Sequence, residues 1–195
     1  SHSASGKGEY AKNALKAVLK TQSNRYPTHR FACSKFAGDW LFGTSAQFTV
    51  MRNAIDLSLF APDEEDRLKT RRSLGVADNQ LIIGHIGRFT EQKNHSYLLE
   101  IFDQVLKIRK NAVLVLVGSG PLVEQIKDQA NCLGISHSVQ FLGTRSDAAS
   151  LYRAFDVFCL PSLYEGLPMV GVECQASHTP ILASDAVTSE TAVTS

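Results

Sequence analysis

Glu165 and Glu173 stand eight residues apart in the run Glu165-Gly166-Leu167-Pro168-Met169-Val170-Gly171-Val172-Glu173. Pro168 suits a first helical position, where a missing N–H costs nothing. Glu165 is therefore expected in the loop before a helix and Glu173 in its second turn. A carboxylate beside a helix N-terminus is electrostatically comfortable and can accept hydrogen bonds from sugar hydroxyls. A second carboxylate one turn in can take both hydroxyls of a ribose, and the N–H groups between them would face a phosphate. Glu173 alone reads more readily as an ordinary helix-surface glutamate. Two glutamates around Gly-Leu-Pro are harder to dismiss.

A second cluster is Gly87-Arg88-Phe89-Thr90-Glu91-Gln92-Lys93-Asn94. A glycine at a strand end permits a tight turn, and Arg88 and Lys93 flank that turn just before a helix start. Two cations beside free helical N–H groups suit a diphosphate. A solvated arginine and lysine in a surface loop is the competing reading. Gly118-Ser119-Gly120-Pro121 makes a glycine-rich strand-to-helix turn, but Val123 holds the third glycine's place, so the dinucleotide fingerprint fails. A tight connection needing positive φ explains it as well as phosphate contact does. Gly143-Thr144-Arg145 is another glycine turn.

These clusters follow short apolar runs. The runs are Arg30–Cys33, Phe48–Met51, Leu81–Gly87, Ala112–Val117, Val139–Leu142, Asp156–Leu160 and Ile181–Ala183. Ala112–Val117 contains no polar residue, which predicts a strand covered on both faces. Helical stretches lie between the runs. Asn94 is expected to cap one carrying Leu98, Ile101, Phe102 and Val105. Pro121 is expected to open another, with a Leu122, Ile126, Ala130, Leu133 stripe closed by Gly134. Pro62 is expected to open a third, whose acidic start and basic end (Arg67, Lys69, Arg71, Arg72) read as a solvated face complementing the helix dipole. Strand alternating with helix predicts an α/β fold: right-handed crossovers and a mainly parallel, Rossmann-like sheet with helices on both faces. Ligands of such sheets bind beyond the carboxyl ends of the strands, where these clusters lie.

The 195 residues are 44% hydrophobic and 20% charged, enough for a packed core. A net charge of +1 offers no general attraction to nucleic acid or an anionic membrane, and no apolar run approaches the length of a membrane span. Four scattered cysteines, Cys33, Cys132, Cys159 and Cys174, argue against a disulfide scaffold or zinc knuckle and for a reducing compartment. Lys7–Lys20 suits a helix, and Thr21–Thr28 with Pro27 reads as a linker. The chain opens Ser1-His2-Ser3, without Met or a signal peptide, and is expected to be a longer protein cut at both ends.

The residues resemble a known family. The run from Glu165 to Glu173 looks like the E-x7-E motif of retaining glycosyltransferases of the GT-B fold, in particular glycosyltransferase family 4. Arg52-Asn53-Ala54-Ile55-Asp56 with Phe60 is similar to its P-N-G-V-D segment, Gly87-Arg88 with Lys93 to G-R…K-G, Val117–Pro121 to V-G-x-G-P, and Phe141-Leu142-Gly143 to F-L-G. The match runs from about Phe31 to Asp185, with the pieces in the family's order. Lys93-Asn94-His95 and Leu163–Pro168 further resemble bacterial capsule or exopolysaccharide enzymes. The sequence departs from the pattern at Arg52 and Ala54, and at Asn94 and His178, which stand where the family has glycine. None of these removes a side chain expected to hold the donor.

The resemblance implies the C-terminal, nucleotide-sugar-binding domain over residues 29–195, with 1–28 the helix and linker from an N-terminal domain. It implies Arg88 and Lys93 on the diphosphate, Glu173 on the ribose, and Glu165 near the donor sugar. Gly166, Leu167 and Met169 would bring main-chain N–H groups to phosphate, and Thr144 and Arg145 would lie near the base. The implied reaction is retaining hexosyl transfer from a nucleotide-diphosphate sugar, a UDP-sugar foremost, to a polysaccharide or lipid-linked acceptor. Arg88, Lys93 and Glu165 are the implied catalytic group. No cofactor or catalytic metal is expected, and no Asp-x-Asp is present. No nucleic-acid partner is expected. A cytoplasmic location is implied, with the inner face of a membrane compatible for the full-length protein, whereas the fragment alone is expected to be inactive. The rival readings are a sugar-nucleotide epimerase of the same fold and a non-catalytic nucleotide-binding module.

Overall fold

A computed structural model describes residues 27–51, 53–187 and 189–192. The expected Lys7–Lys20 helix lies outside them, as does Arg52 of the Arg52–Asp56 segment. The chain divides into two compact units, residues 1–54 and 55–195. In the first, β1 (Phe31–Ala32) pairs in parallel with β2 (Thr49–Val50) around α1 (Lys35–Phe42). Ser34 caps α1 by accepting from Ala37 N. The first two apolar runs thus form a two-stranded sheet of their own.

The second unit contains α2 (Leu57–Phe60), α3 (Glu64–Ser73), β3 (Ile82–Ile86), α4 (His95–Ile108), β4 (Val113–Val117), α5 (Val123–Cys132), β5 (Val139–Gly143), α6 (Ala148–Ala154), β6 (Val157–Leu160), α7 (Met169–Ala176) and β7 (Ile181–Ala183). Its five strands are all parallel, in the order β5-β4-β3-β6-β7. Chain order therefore reverses direction between β3 and β6, which are adjacent in the sheet though α4 to α6 separate them in sequence.

Every residue of β4 is buried, as its unbroken apolar run requires. Period-2 alternation divides it between two cores. Leu114 and Leu116 join Ile83, Leu98, Leu99, Phe102 and Ile126 on one side. Val113, Val115 and Val117 join Ile82, Tyr152, Phe155, Phe158 and Leu160 on the other. Each such side chain contributes on the order of 1.5–3 kcal/mol by leaving water.

Several local expectations are corrected. Pro62 does not open α3. Asp63 caps it, accepting from Asp66 N at 2.9 Å. Pro121 lies in the turn before α5, which starts at Val123 after Leu122. Of the expected stripe, Ile126 and Ala130 are buried but Leu133 is exposed beyond the last helical turn. Pro168 sits at the cap of α7, one residue ahead of its expected place. The basic end of α3 is a solvated face only in part: Lys69 and Arg72 are exposed, but Arg67 and Arg71 turn inward. Arg71 is 1% exposed and donates to Asp156 and to the carbonyls of Ala154, Ala77, Asp78 and Gln80. Arg67 donates to Asp156 and to the carbonyls of Arg153 and Phe155. Guanidinium forks reach inward here because the segments leading into β3 and β6 present carbonyls and one carboxylate to them. Burial pushes the Asp156 carboxyl up, but hydrogen bonds from Ile82 N, Arg67 and Arg71 outweigh it and hold the group below its ordinary range.

Candidate functional site

The carboxyl ends of β3 and β6 carry the two main clusters side by side, at the point where strand order reverses. After β3 the chain turns at Gly87, whose N–H donates to Val117 O at 2.9 Å. Phe89, 1% exposed, then anchors the loop, exchanging bonds with Ser119 O and Leu122 N. This proximity explains Gly118-Ser119-Gly120. A Cβ on Gly118 would lie 2.0 Å from Gly87 O, one on Gly120 2.4 Å from Phe89 O, and Gly118 has φ +134°. The tight-connection reading of that segment is the one the backbone supports.

Between Gly87 and the buried Phe89, Arg88 is exposed, and no hydrogen bond or ion pair holds its side chain among the described residues. A short 3-10 turn, Glu91–Lys93, brings the chain to Asn94. Asn94 does not cap α4 with its side chain. It adopts φ +53°, and its Nδ2 donates to Pro161 O at 3.2 Å, tying the loop to the one after β6. Among the described residues the non-glycine residues with positive φ are Asn94 and His178, two positions where the sequence departs from the family's glycine.

After β6, Ser162 and Glu165 are buried, at 1% and 8% exposure. Lys93 Nζ lies 2.5 Å from Glu165 Oε1, and Ser162 Oγ donates to the same oxygen at 2.8 Å. The lysine of the first cluster therefore neutralises the first glutamate of the second; it does not stand free beside Arg88. Gln92 adds three links. Its carbonyl accepts from Leu163 N, and its Nε2 donates to Tyr164 O at 3.0 Å and approaches Glu165 Oε2 at 3.4 Å.

A Cβ on Gly166 would meet nothing within 4 Å, so the main chain there faces open space. Leu167 and Met169 are half-buried. The N-terminus of α7 has no side-chain cap, which leaves main-chain N–H groups at Met169 and Val170 for an anion. Glu173 falls in the second turn of α7 as expected, where it accepts from the Tyr152 hydroxyl at 2.9 Å. Burial first, then the Glu173 charge, drives the Tyr152 hydroxyl far above its ordinary range and keeps it a donor.

Thr144 and Arg145 follow β5, the sheet's edge, with β4 and β3 lying between it and β6. Thr144 Oγ1 donates to Ser119 Oγ at 3.3 Å, and Arg145 forms a two-pronged pair with Asp147 at 2.8 and 2.6 Å. Neither touches the Lys93–Glu165 group.

Beneath the loop after β3 lies a pair of buried histidines that sequence reasoning passed over. His85 donates Nδ1–H to Cys159 O at 2.7 Å, because a carbonyl can only accept. His95, the first residue of α4, packs edge-on to His85 and stacks on Phe89. His85 Nε2 and both His95 nitrogens have no partner among the described residues. Burial lowers the His85 pKa to about 4 and that of His95 to about 3. Gln92, Ser162 and Tyr152 were also missed; Gln92 and Tyr152 act through partners distant in sequence, whereas Ser162 bonds Glu165 three residues on. The strand-end position of Ser162 was the one local signal.

A parallel sheet with both clusters at its switch point is the architecture of a nucleotide-binding α/β domain. The chain belongs to the family described as glycosyl transferases group 1, whose profile matches residues 66–194. It is 43% identical over 161 residues to EpsF of Bacillus subtilis, a protein named as a glycosyltransferase, covering 80% of this chain and 42% of that protein. It is 30% identical over 148 residues to an Escherichia coli UDP-Gal:alpha-D-GlcNAc-diphosphoundecaprenol alpha-1,3-galactosyltransferase, covering 74% of this chain and 38% of that one. A crystal structure of Alr3699/HepE from Anabaena in complex with UDP-glucose superposes with a TM-score of 0.83 at 25% identity, over 97% of this chain and 53% of that chain. The chain thus spans less than half the length of these two curated relatives. Among the described residues no helix is long and apolar enough to cross a membrane.

Proposed function

We propose that this chain is the donor-binding half of a retaining hexosyltransferase that uses a UDP-sugar and no catalytic metal. The observation that carries the reading is the meeting of Lys93 and Glu165 at the sheet's switch point, between an exposed Arg88 and the uncapped start of α7. A nucleoside diphosphate laid across that crevice would place its charge against Arg88, Lys93 and the N–H groups of Met169 and Val170. Glu173 would accept from the ribose hydroxyls and Glu165 from the donor sugar. Thr144 and Arg145 would border the base.

As the bond from the anomeric carbon to the diphosphate breaks, negative charge grows on the leaving group. Arg88 and the helix dipole would meet that charge with little reorganisation, and Lys93 would turn part of its ammonium to it from Glu165. The acceptor hydroxyl would add on the face the diphosphate leaves, which retains configuration. The acceptor, a polysaccharide or lipid-linked glycan, would come from the part of the enzyme that supplies the other wall of the cleft. A cytoplasmic location, at the inner face of a membrane for a lipid-linked acceptor, fits such a donor.

Support comes from the UDP-glucose seen in Alr3699/HepE and from the UDP-Gal in the name of the E. coli relative. The relatives named here are transferases, which favours transfer over epimerisation. Titration with UDP, GDP and ADP in the presence of a chelator tests the reading. UDP is expected to bind, and no detectable binding at millimolar ligand by the folded chain would overturn it.

A further inference from the structure

Glu165 presents two unequal oxygens. Oε1 is fully engaged by Lys93 at 2.5 Å and Ser162 at 2.8 Å. Ser162 is itself fixed, because its carbonyl accepts from Ser184 Oγ at 2.6 Å. Among the described residues Oε2 has one hydrogen-bond partner, the Gln92 amide at 3.4 Å, a contact at the weak end of hydrogen bonding. Of that amide's two N–H groups, one is committed to Tyr164 O at 3.0 Å. The other N–H spends itself on this long bond to Oε2, so donor and acceptor stand side by side, weakly joined, and each can make a shorter bond to a group placed between them. The backbone hydrogen bond from Leu163 N to Gln92 O pins their spacing. Gly166 leaves open space next to Glu165.

A sugar hydroxyl is at once a donor and an acceptor. An amide N–H offers only donation and a carboxylate only acceptance. We propose that Gln92 is a specificity-determining residue, which together with Oε2 of Glu165 reads one hydroxyl of the donor sugar in both senses. A sugar lacking that hydroxyl, or carrying it in the other orientation, forgoes both bonds and leaves the buried Glu165 oxygen with the long Gln92 contact alone, which lowers its affinity. The inference rests on the reading of Glu165 as the donor-sugar group.

The test is calorimetric titration of the native chain, Gln92→Leu and Gln92→Glu with UDP, UDP-glucose, UDP-galactose and UDP-N-acetylglucosamine. The quantity read is the affinity of the sugar nucleotide that binds native protein most tightly, divided by the affinity for UDP. That ratio is expected to fall about threefold to tenfold in both variants, the worth of one hydrogen bond. An unchanged ratio overturns the proposal. So does an equal loss of affinity for UDP and for its sugars, which would make Gln92 a loop staple only. Failure of the native chain to bind UDP would instead overturn the functional reading, and this inference with it.

Discussion

Lys93 and Glu165, 72 positions apart, form an ion pair at 2.5 Å in which both side chains are largely buried. The pair joins the basic loop after β3 to the acidic loop after β6. The first prediction concerns its energetics. Removing one member strands the other charge, so Lys93→Met or Glu165→Gln should each cost about 2–4 kcal/mol of stability. The double variant should cost less than the sum, with a coupling of about 1–3 kcal/mol. Denaturant unfolding of the four proteins measures this, and simple additivity would show that the pair is not an energetic unit.

The second prediction separates the two glutamates. On the proposed reading Glu173 contacts the ribose, and such a contact is made equally in ground and transition states, so Glu173 would act in binding. Glu173→Gln should weaken UDP binding by about 1.5–3 kcal/mol. Glu165→Gln should do little to UDP and reduce affinity for the sugar nucleotide. Tyr152→Phe, which removes the hydroxyl donated to Glu173 Oε2, should weaken UDP binding by about 1 kcal/mol. Loss of UDP binding in Glu165→Gln, with Glu173→Gln unaffected, would reverse the roles.

The third prediction is a pH dependence from the buried histidines. Desolvation lowers their pKa values to about 4 and about 3, below the 6.5 of the unfolded chain. Their mutual repulsion as cations and the Lys93 charge act in the same direction, whereas the Cys159 carbonyl and the Glu165 charge oppose it for His85. Between pH 6.5 and about 4 the unfolded chain therefore binds more protons than the folded one. Stability is greatest above pH 6.5 and falls as pH drops through this window, by up to about 1.4 kcal/mol per pH unit for each ring. Replacing one ring, in His95→Phe, should roughly halve that slope. An unaltered slope in this variant would place the proton uptake elsewhere.

The fourth prediction exploits His178, whose φ of +56° is costly for a side chain with a Cβ. Glycine relieves the strain but adds unfolded-state entropy. His178→Gly should leave a net gain of about 0.5–1 kcal/mol, read as a raised thermal midpoint. Asn94→Gly should gain less, because asparagine tolerates this conformation and its side chain bonds Pro161 O. A lowered midpoint for His178→Gly would show that its imidazole contributes more than its backbone costs.

Local patterning determined much of this molecule. The unbroken apolar run of β4 required burial on both faces, and Glu165 and Glu173 fell on either side of a helix start because Gly-Leu-Pro specifies that turn nearby in sequence. Periodicity and capping are properties of a few consecutive residues, so the string of residues carries them. It did not carry which strand end lies beside which. Lys93 meets Glu165 only because the crossovers make β3 and β6 neighbours, and Glu173 meets Tyr152 because α7 packs beside α6. Arg71 looked like a solvated helix charge until the sheet brought Asp156 and a row of carbonyls to it. His85 sat in an apolar run with nothing local to mark it. The partners that neutralise, orient or desolvate these side chains lie on other elements, and long-range packing alone decides which ones they are.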